Sequence, residues 1–239
     1  MSILSIVATP IGNLEDITLR ALRVLKEADL VLCEDTRVTK RLLDRYEIKT
    51  PTLSYHQHSG ELKTDKIMAL LREGKNLALT TDAGTPGISD PGSKLVTAVR
   101  EEFGDQIKIE SVPGVAALTA AISIAGVGFD RFLFLGFLPH KKGRQTMLKE
   151  ILASAYPAVV YESKHRIIKL LEELISLSAT LKIPVEVKVA RELTKMFESL
   201  YIGAPENVLA KLQSDTNSLK GEFVVLIEKK NKAKKKEEE

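Results

Sequence analysis

Tryptophan is absent from this 239-residue chain, and cysteine occurs once, as Cys33. One cysteine excludes an internal disulfide and leaves no metal-ligand spacing, so we expect Cys33 to be an inert strand residue in a reducing compartment. Long apolar runs are missing as well. The opening MSILSIVATPIG has no basic residues before its apolar stretch, and that stretch soon ends at a Pro-Ile-Gly break. This pattern predicts neither a signal sequence nor a membrane span, and we expect a soluble cytoplasmic protein without a membrane partner.

An excess of charge of one sign is lacking too. The chain has 35 lysines and arginines against 32 aspartates and glutamates, which gives a net charge of +3. Much of the excess lies in the terminal KKNKAKKKEEE, so composition alone does not indicate nucleic-acid binding. Because this segment has no large apolar side chain, we predict that residues 229–239 form a disordered charged tail.

What is present is an alternation of short β-branched runs with segments of helical period, which is typical of an α/β fold with a largely parallel sheet. The predicted strands are 3–8, 30–33, one near Leu53, 77–81, 107–112, 132–136, 158–161, 185–190 and 222–228. The predicted helices are 17–28, one from Thr36, 61–73, 92–103 and 116–126, and helical spans separate the later strands. The pattern restarts near Gly126-Val127-Gly128, so we predict two α/β domains, residues 1–114 and 115–228.

Three predicted loops have unusual compositions and follow strands, where ligands of open α/β sheets bind. They are TPIGNLED (9–16), DAGTPGISDPG (82–92) and PGVAA (113–117). The second combines glycines, which expose main-chain N–H groups, with prolines, which stiffen the chain, and it is longer than a common connection. We interpret it as a main-chain site for a polar ligand, with an ordinary tight connection as the alternative. Asp82 and Asp90 either bind that ligand or cap the loop and the next helix.

A polar segment, EDTRVTKRLL (34–43), follows the second predicted strand. Helical spacing places Arg37 and Arg41 on one face with Lys40 beside them, which suits either a phosphate-binding patch or an ordinary solvated face. His56 and His58 have no further ligands at metal-binding spacing, so we predict no metal. The P-loop and G-x-G-x-x-G nucleotide motifs are both absent from the sequence.

A series of segments in chain order carries a resemblance that spans nearly the whole sequence. They are VATPIGNLEDITLRAL, LCEDTR, DAGTPGISDPG, VPGVAALTAA, FLGFLP, YESKHRI, RELTKMFE and GEFVVLIE. The set resembles the 16S ribosomal RNA cytidine 2'-O-ribose methyltransferases, the RNA-modifying branch of the tetrapyrrole (corrin/porphyrin) methylase superfamily. The resemblance implies two α/β/α domains with S-adenosyl-L-methionine in the cleft between them, and a homodimer. It also implies methyl transfer to a cytidine of 16S rRNA in the decoding region of the small ribosomal subunit.

Carried over by position, the resemblance also implies which residues line the cofactor site. Those in the loops after the first, fourth and fifth predicted strands are Pro10, Ala83, Gly84, Thr85, Ile88, Ala116 and Ala117, to which we add Asp82. Those of the second domain are Glu162 and Ala190. Tetrapyrrole-modifying relatives usually have aspartate at the position of Thr85, which argues against a porphyrinoid substrate here.

The RNA-specific segments supply candidates for the remaining chemistry. Asp35 and Glu192 are the candidate base or hydroxyl-orienting groups, since the attacking 2'-oxygen must lose a proton as it aligns with the methyl group. An ion pair with a neighbouring arginine is the structural alternative for each carboxylate. The candidate phosphate ligands are Arg37, Lys40, Arg191 and Lys195.

Two other functions stay open on the sequence alone. One is a methyltransferase of the same fold that acts on a tetrapyrrole or another small molecule. The other is a module that binds the cofactor and transfers no methyl group.

Overall fold

The computed structural model describes residues 1–56, 59–90, 92–126 and 130–230. Predictions that concern His58, Pro91, the pair 127–128 and residues 231–239 therefore lie outside the described residues. The chain divides into two compact units between Ala117 and Leu118, and each contains a five-stranded sheet. Within the described ranges, no helix combines the length and the apolar character that a membrane crossing requires.

The first unit is a parallel sheet with helices on both faces. Its strands are β1 (Ile3–Val7), β2 (Leu30–Cys33), β3 (Thr52–Ser54), β4 (Leu77–Leu79) and β5 (Lys108–Val112), in the order β3-β2-β4-β1-β5. Its helices are α1 (Leu19–Glu27), α2 (Thr36–Arg45), α3 (Glu61–Arg72) and α4 (Gly92–Phe103), and α5 (Ala117–Ile124) begins at the division. Leu77 and Leu79 pack with α3 and α4, whereas Ala78 packs with α1 and α2. This alternation along β4 produces three layers, helix, sheet and helix.

The second unit contains a mixed sheet. Its strands are β6 (Leu133–Phe137), β7 (Ala158–Ser163), β8 (Val185–Arg191), β9 (Ser199–Gly203) and β10 (Glu222–Lys229), in the order β6-β7-β10-β8-β9. Strands β6 and β7 run parallel, whereas β10 is antiparallel to both β7 and β8. Helices α6 (Arg144–Ala153), α7 (Ile167–Leu181) and α8 (Pro205–Ser214) share one core with the sheet, in which Leu148, Leu174 and Leu212 are completely buried.

The predicted elements are present with shifted ends. Strand β9 is an additional element that is not predicted from the sequence. The segment SLYIG is short and follows a polar stretch, and its pairing with β8 is a tertiary contact that periodicity does not show. A second correction concerns the tail: Lys229 pairs with Val185 as the last residue of β10, so the predicted disordered segment cannot begin at 229. Cys33 is buried at the end of β2, where burial raises the pKa of its thiol.

Candidate functional site

Three loops of the first unit meet at one edge of its sheet. They follow β1, β4 and β5, which are neighbouring parallel strands, so their carboxyl ends lie side by side. The loops after β1 and β4 form a reciprocal main-chain pair: Thr9 N–H donates to Gly84 O at 2.9 Å, and Gly84 N–H donates to Thr9 O at 3.0 Å. The buried hydroxyl of Thr9 also donates to Thr81 O at 3.1 Å. Thr9 thus fixes the start of the glycine-rich loop.

The loop after β5 is attached through Thr85 and Gly84. The Thr85 hydroxyl donates to Val115 O at 2.9 Å. Gly84 has a φ of +86°, and a Cβ at this position would lie 3.3 Å from Ile11 Cγ2 and 3.5 Å from Val115 O. Glycine is therefore required by the packing of the three loops, in addition to the main-chain exposure that the sequence analysis emphasises.

Asp90 and Asp82 hold the two ends of the glycine-rich loop. Both carboxylate oxygens of Asp90 accept a hydrogen bond from Gly87 N–H, each at 2.8 Å. Asp82 accepts from Asp35 N–H at 3.0 Å and so joins this loop to the one that follows β2. Both aspartates stabilise main chain, which is the capping role that the sequence analysis allows for them.

The structure brings the predicted cofactor residues of the first unit together in these loops. Asp82 and Ala83 are exposed; Thr85, Ile88, Ala116 and Ala117 are half-buried; Pro10 and Gly84 are buried. Gly114 is exposed as well, and a Cβ there would lie 3.0 Å from Ala8 Cβ, so its main chain lies close against the end of β1. The result is a braced surface rich in accessible main chain, which fits a ligand with several polar groups.

Asp35 stands at the start of α2 and pairs with its neighbour Arg37. Its carboxylate accepts from Arg37 N–H at 2.8 Å as the helix cap, and Arg37 Nη2 lies 2.6 Å from Oδ2. These hydrogen bonds from Arg37 lower the pKa of Asp35 to about 2. The ion-pair alternative is therefore realised for Asp35, while Arg37 and Lys40 remain exposed.

Glu162 lies on β7 in the second unit and is enclosed by two arginines. Arg166 Nε lies 2.8 Å from Oε1, Arg144 Nη1 lies 3.4 Å from Oε2, and Ser163 N–H donates to Oε1 at 2.8 Å. Glu162 is 1% exposed, and its carboxylate belongs to an internal ion-pair network with these two arginines. The burial of Arg144 and the partial burial of Arg166 are not predictable from the sequence, because arginines are ordinarily exposed.

Ala190 is also buried, in β8, where Val224 and Leu200 are its partners on the two flanking strands. Glu162 and Ala190 therefore lie on strands that flank β10 on opposite sides. Each residue is 1% exposed as a whole, side chain and main chain together, and the predicted cofactor contacts at both stay predictions.

Glu192 and Lys195 form a second polar group just after β8. Glu192 Oε1 accepts from Lys195 Nζ at 2.9 Å and from Glu222 N–H at 3.0 Å. Burial raises the pKa of Glu192, but these two hydrogen bonds outweigh burial and the net pKa is lowered. The residue has a φ of +50°, and a Cβ at Gly221 would clash with its carboxylate. A non-glycine residue in this backbone region is strained, and such strain is typical of functional positions.

Arg191 does not have the placement that the sequence analysis expects. It is 7% exposed, and its guanidinium donates to three main-chain carbonyls, Lys220 O at 2.7 Å, Asn217 O at 2.7 Å and Phe197 O at 3.0 Å. Three of its five N–H donors are used in these bonds, and the side chain is buried, so Arg191 braces the loop after β8 and is not placed as an exposed phosphate ligand.

The fold and these loops define a class of methyltransferases. The sequence profile of the Tetrapyrrole (Corrin/Porphyrin) Methylases matches residues 4–208, a range that includes the loops after β1, β4, β5 and β8. The chain belongs to this family. Its methyltransferases use S-adenosyl-L-methionine, and the accessible main chain of the three loops in the first unit fits the amino, carboxylate and ribose groups of that cofactor.

Within this family the chain is similar to proteins named Ribosomal RNA small subunit methyltransferase I. The one from Synechocystis sp. is 43% identical over 228 residues, which are 95% of this chain and 79% of that protein. The one from Escherichia coli O157:H7 is 44% identical over 227 residues, 94% and 77% of the two chains. The one from Thermotoga maritima is 40% identical over 213 residues, 89% and 93% of the two chains.

Solved structures support the fold. A cobalt precorrin-4 methyltransferase of cobalamin biosynthesis matches with a TM-score of 0.69 at 19% identity, covering 94% of each chain. Uroporphyrin-III-C-methyltransferase from Thermus thermophilus matches with a TM-score of 0.61 at 20% identity, covering 95% of this chain and 94% of that one. At this identity the likeness extends to the fold alone.

Replacing Gly84 by alanine tests the packing of the three loops. We expect Gly84→Ala to lower the affinity for S-adenosyl-L-methionine at least tenfold, because the new methyl group presses on Ile11 and Val115. Gly74→Ala is the matched control, since Gly74 has a φ of +89° but a Cβ there meets nothing within 4 Å. Isothermal titration calorimetry measures both; equal affinities in the two variants would contradict this account of Gly84.

Replacing Arg37 by glutamine tests the ion pair at the start of α2. The pKa of Asp35 should rise from about 2 but stay below 3.8, because the N–H of residue 37 still caps the carboxylate. Since folding lowers this pKa, its contribution to stability is present above pH 3.8 and is lost as the pH falls towards 2. Carboxyl ¹³C NMR titration measures the shift, and Asp29, whose pKa is lowered chiefly by Asn76 N–H, is an internal control that should not move. An unchanged Asp35 titration would show that Arg37 is not its cause.

Proposed function

We propose that this chain is a ribosomal RNA methyltransferase that transfers a methyl group from S-adenosyl-L-methionine to the ribose 2'-oxygen of a cytidine in the decoding region of 16S rRNA. The observation that carries the proposal is the 40–44% identity to several small-subunit ribosomal RNA methyltransferases over most of both chains. The polar segments around Asp35 and Glu192, which the cofactor loops do not use, are consistent with a polar substrate. The resemblance also supports a homodimer in the cytoplasm.

The cofactor, when bound, supplies an electrophilic methyl group on its sulfonium. The residues that would hold it in the first unit are those of the three braced loops, above all Ala83, Thr85 and Ala116. Main-chain atoms dominate this surface, because the side chains of Thr9, Thr85 and Asp90 are occupied by bonds within the protein. In the second unit, the resemblance points to Glu162 and to the main chain around Ala190, although both residues are buried.

Of the two candidate carboxylates, Glu192 is the better placed to accept the proton of a ribose hydroxyl. In the described part of the chain, both hydrogen bonds to its carboxylate are made to Oε1, which leaves Oε2 for a substrate. Asp35 uses both oxygens for Arg37, and a pKa of about 2 makes it a weak base. We therefore assign hydroxyl orientation and proton acceptance to Glu192, and positioning of α2 to Asp35.

Phosphate contacts fall to the cations that stay accessible. Arg37 has 86% of its side chain exposed, and Lys40 is exposed on the same helix. Lys195 is partly exposed, but Glu192 and Glu222 share its ammonium group, so its main role is to keep Glu192 ionised. Arg37 and Lys40 are the proposed phosphate ligands on α2.

Methyl transfer from labelled S-adenosyl-L-methionine to small ribosomal subunits that lack 2'-O-methylation tests the proposed function. We expect label on one cytidine ribose of 16S rRNA, located by mapping the modified nucleotide. Naked rRNA and a porphyrinoid are assayed in parallel. Label on the porphyrinoid alone would assign the chain to small-molecule methylation, and cofactor binding without any transfer would make it a binding module.

Replacing Glu192 by glutamine tests the assignment of the proton acceptor. Glu192→Gln keeps the size of the side chain but removes the charge, so kcat should fall about a hundredfold, the lower range for losing a positioned base. Affinity for S-adenosyl-L-methionine should be unchanged. Glu198→Gln, in the same loop, is the control and should retain nearly full kcat. Equal rates for the two variants would remove Glu192 from the chemistry.

A further inference from the structure

Two loops of the second unit carry a cluster of exposed lysines and histidines at one edge of the sheet. His140, Lys141 and Lys142 follow β6, and Lys164 and His165 follow β7; all five are exposed. Strands β6 and β7 are parallel neighbours, with Phe137 opposite Tyr161 at their carboxyl ends, so both loops emerge at the same edge. We name this surface, with Phe137 included, the β6–β7 basic face.

The positive charge of this face is not balanced locally. Neither loop contains an acidic residue: the first reads LPHKKG and the second KHR. The nearest acidic side chain on these strands, Glu162, is buried and neutralised by Arg144 and Arg166. Within the described ranges, Lys141, Lys142 and Lys164 take part in no ion pair, so their ammonium groups are free to meet an external anion.

Arg144 and Arg166 also hold the two loops together. Arg166, which follows β7, donates to Leu138 O in the loop after β6 at 2.9 Å, and Arg144 Nη1 lies 3.4 Å from Pro139 O. Both arginines bind the carboxylate of Glu162. The spacing between the lysines of the two loops is thereby fixed before any ligand arrives, which reduces the entropy that binding would cost.

Phe137 adds an exposed aromatic ring to the cations. Its side chain is 53% exposed, although it belongs to a strand. Tyr161 packs edge-on against it with ring centroids 5.6 Å apart, and the Arg166 guanidinium carbon lies 6.0 Å from the ring centre. The ring is therefore held in place while half of it faces solvent.

From this combination we infer that the β6–β7 basic face binds single-stranded RNA, with phosphates on Lys141, Lys142 and Lys164 and an unstacked base on Phe137. Cations that follow a backbone, next to an aromatic ring on which a base stacks, are the features by which proteins bind single strands. A cationic patch for a lipid surface would not require a braced ring beside it. The inference rests on the proposed function and deepens it, since it assigns part of the RNA substrate to the second unit.

Charge reversal tests the phosphate contacts. In the triple variant Lys141→Glu, Lys142→Glu, Lys164→Glu, the affinity for a labelled single-stranded 16S rRNA fragment should fall at least tenfold at 0.1 M salt. The slope of log Kd against log salt should decrease by about two, because each phosphate contact on a single strand contributes about 0.7. Lys26→Glu, Lys66→Glu, Lys211→Glu is the control: these lysines are exposed elsewhere, and the net charge changes equally. Affinity for S-adenosyl-L-methionine should remain unchanged in both variants, which verifies folding.

A fluorescent reporter tests the stacked base. Because the chain has no tryptophan, Phe137→Trp introduces a single indole whose emission the RNA fragment should quench. Tyr156→Trp is the matched control, since Tyr156 precedes β7 at the opposite end of that strand and is 42% exposed. Its emission should not change when RNA is added.

The outcomes distinguish a failure of the β6–β7 basic face from a failure of the proposed function. If wild-type protein methylates small subunits, but the triple reversal binds RNA as well as the control variant does, the β6–β7 basic face is refuted and the proposed function stands. If Phe137→Trp is not quenched although the triple reversal weakens binding, the phosphate contacts stand and the base contact is overturned. If wild-type protein neither binds nor methylates ribosomal RNA, the proposed function fails and this inference falls with it.

Discussion

The reciprocal main-chain pair between Thr9 and Gly84 is the constraint on which the candidate cofactor site depends. Parallel strands end with main-chain groups that have no further partner, and here the loops after β1 and β4 satisfy one another across that edge. Gly84 has a positive φ in this pair, and a Cβ there would lie in tight contact with Ile11 Cγ2, at 3.3 Å. With these two loops joined, Thr85 attaches the loop after β5 and Asp82 attaches the loop after β2. Four strand ends thus become one rigid surface.

The second unit achieves comparable rigidity with charge. The carboxylate of Glu162 is buried, where an unpaired ion would be strongly destabilising, and its two arginines and Ser163 N–H supply the compensating bonds. The arginines reach two separate loops, so one buried carboxylate fixes both. On the other side of β10, Arg191 also connects separate segments, since it donates hydrogen bonds to three main-chain carbonyls near Glu192.

Apolar periodicity and loop composition make most of the elements, and the unusual loops after β1, β4 and β5, predictable from the sequence. Both signals are local: alternation along β4, or glycines and prolines within residues 82–92, are visible in a short window. The features that are not predictable from the sequence depend on partners that are distant in the chain. The pairing of β9 with β8, the hydrogen bonds from Arg191 to Asn217 O and Lys220 O, and the burial of Arg144 all appear only in the folded chain. The burial of charged side chains is the least predictable feature, because an arginine or lysine is expected to be exposed until its partners in the fold are known.

The candidate cofactor surface is formed mainly by main chain, whereas substrate recognition depends on side chains. This difference explains how one fold serves unlike substrates. A surface built from main chain constrains glycine positions and loop lengths more than side-chain identity, and the fold itself is shared with structures of only 19–20% identity to this chain. Substrate recognition, in contrast, depends on side chains that can change without disturbing the core. Glu192 sits in strained backbone above Gly221, and the lysines after β6 and β7 rest on a buried ion-pair network. In each case, contacts inside the protein position a side chain that can be replaced without disturbing the core. This arrangement allows the substrate to change while the methyl-transfer fold is retained.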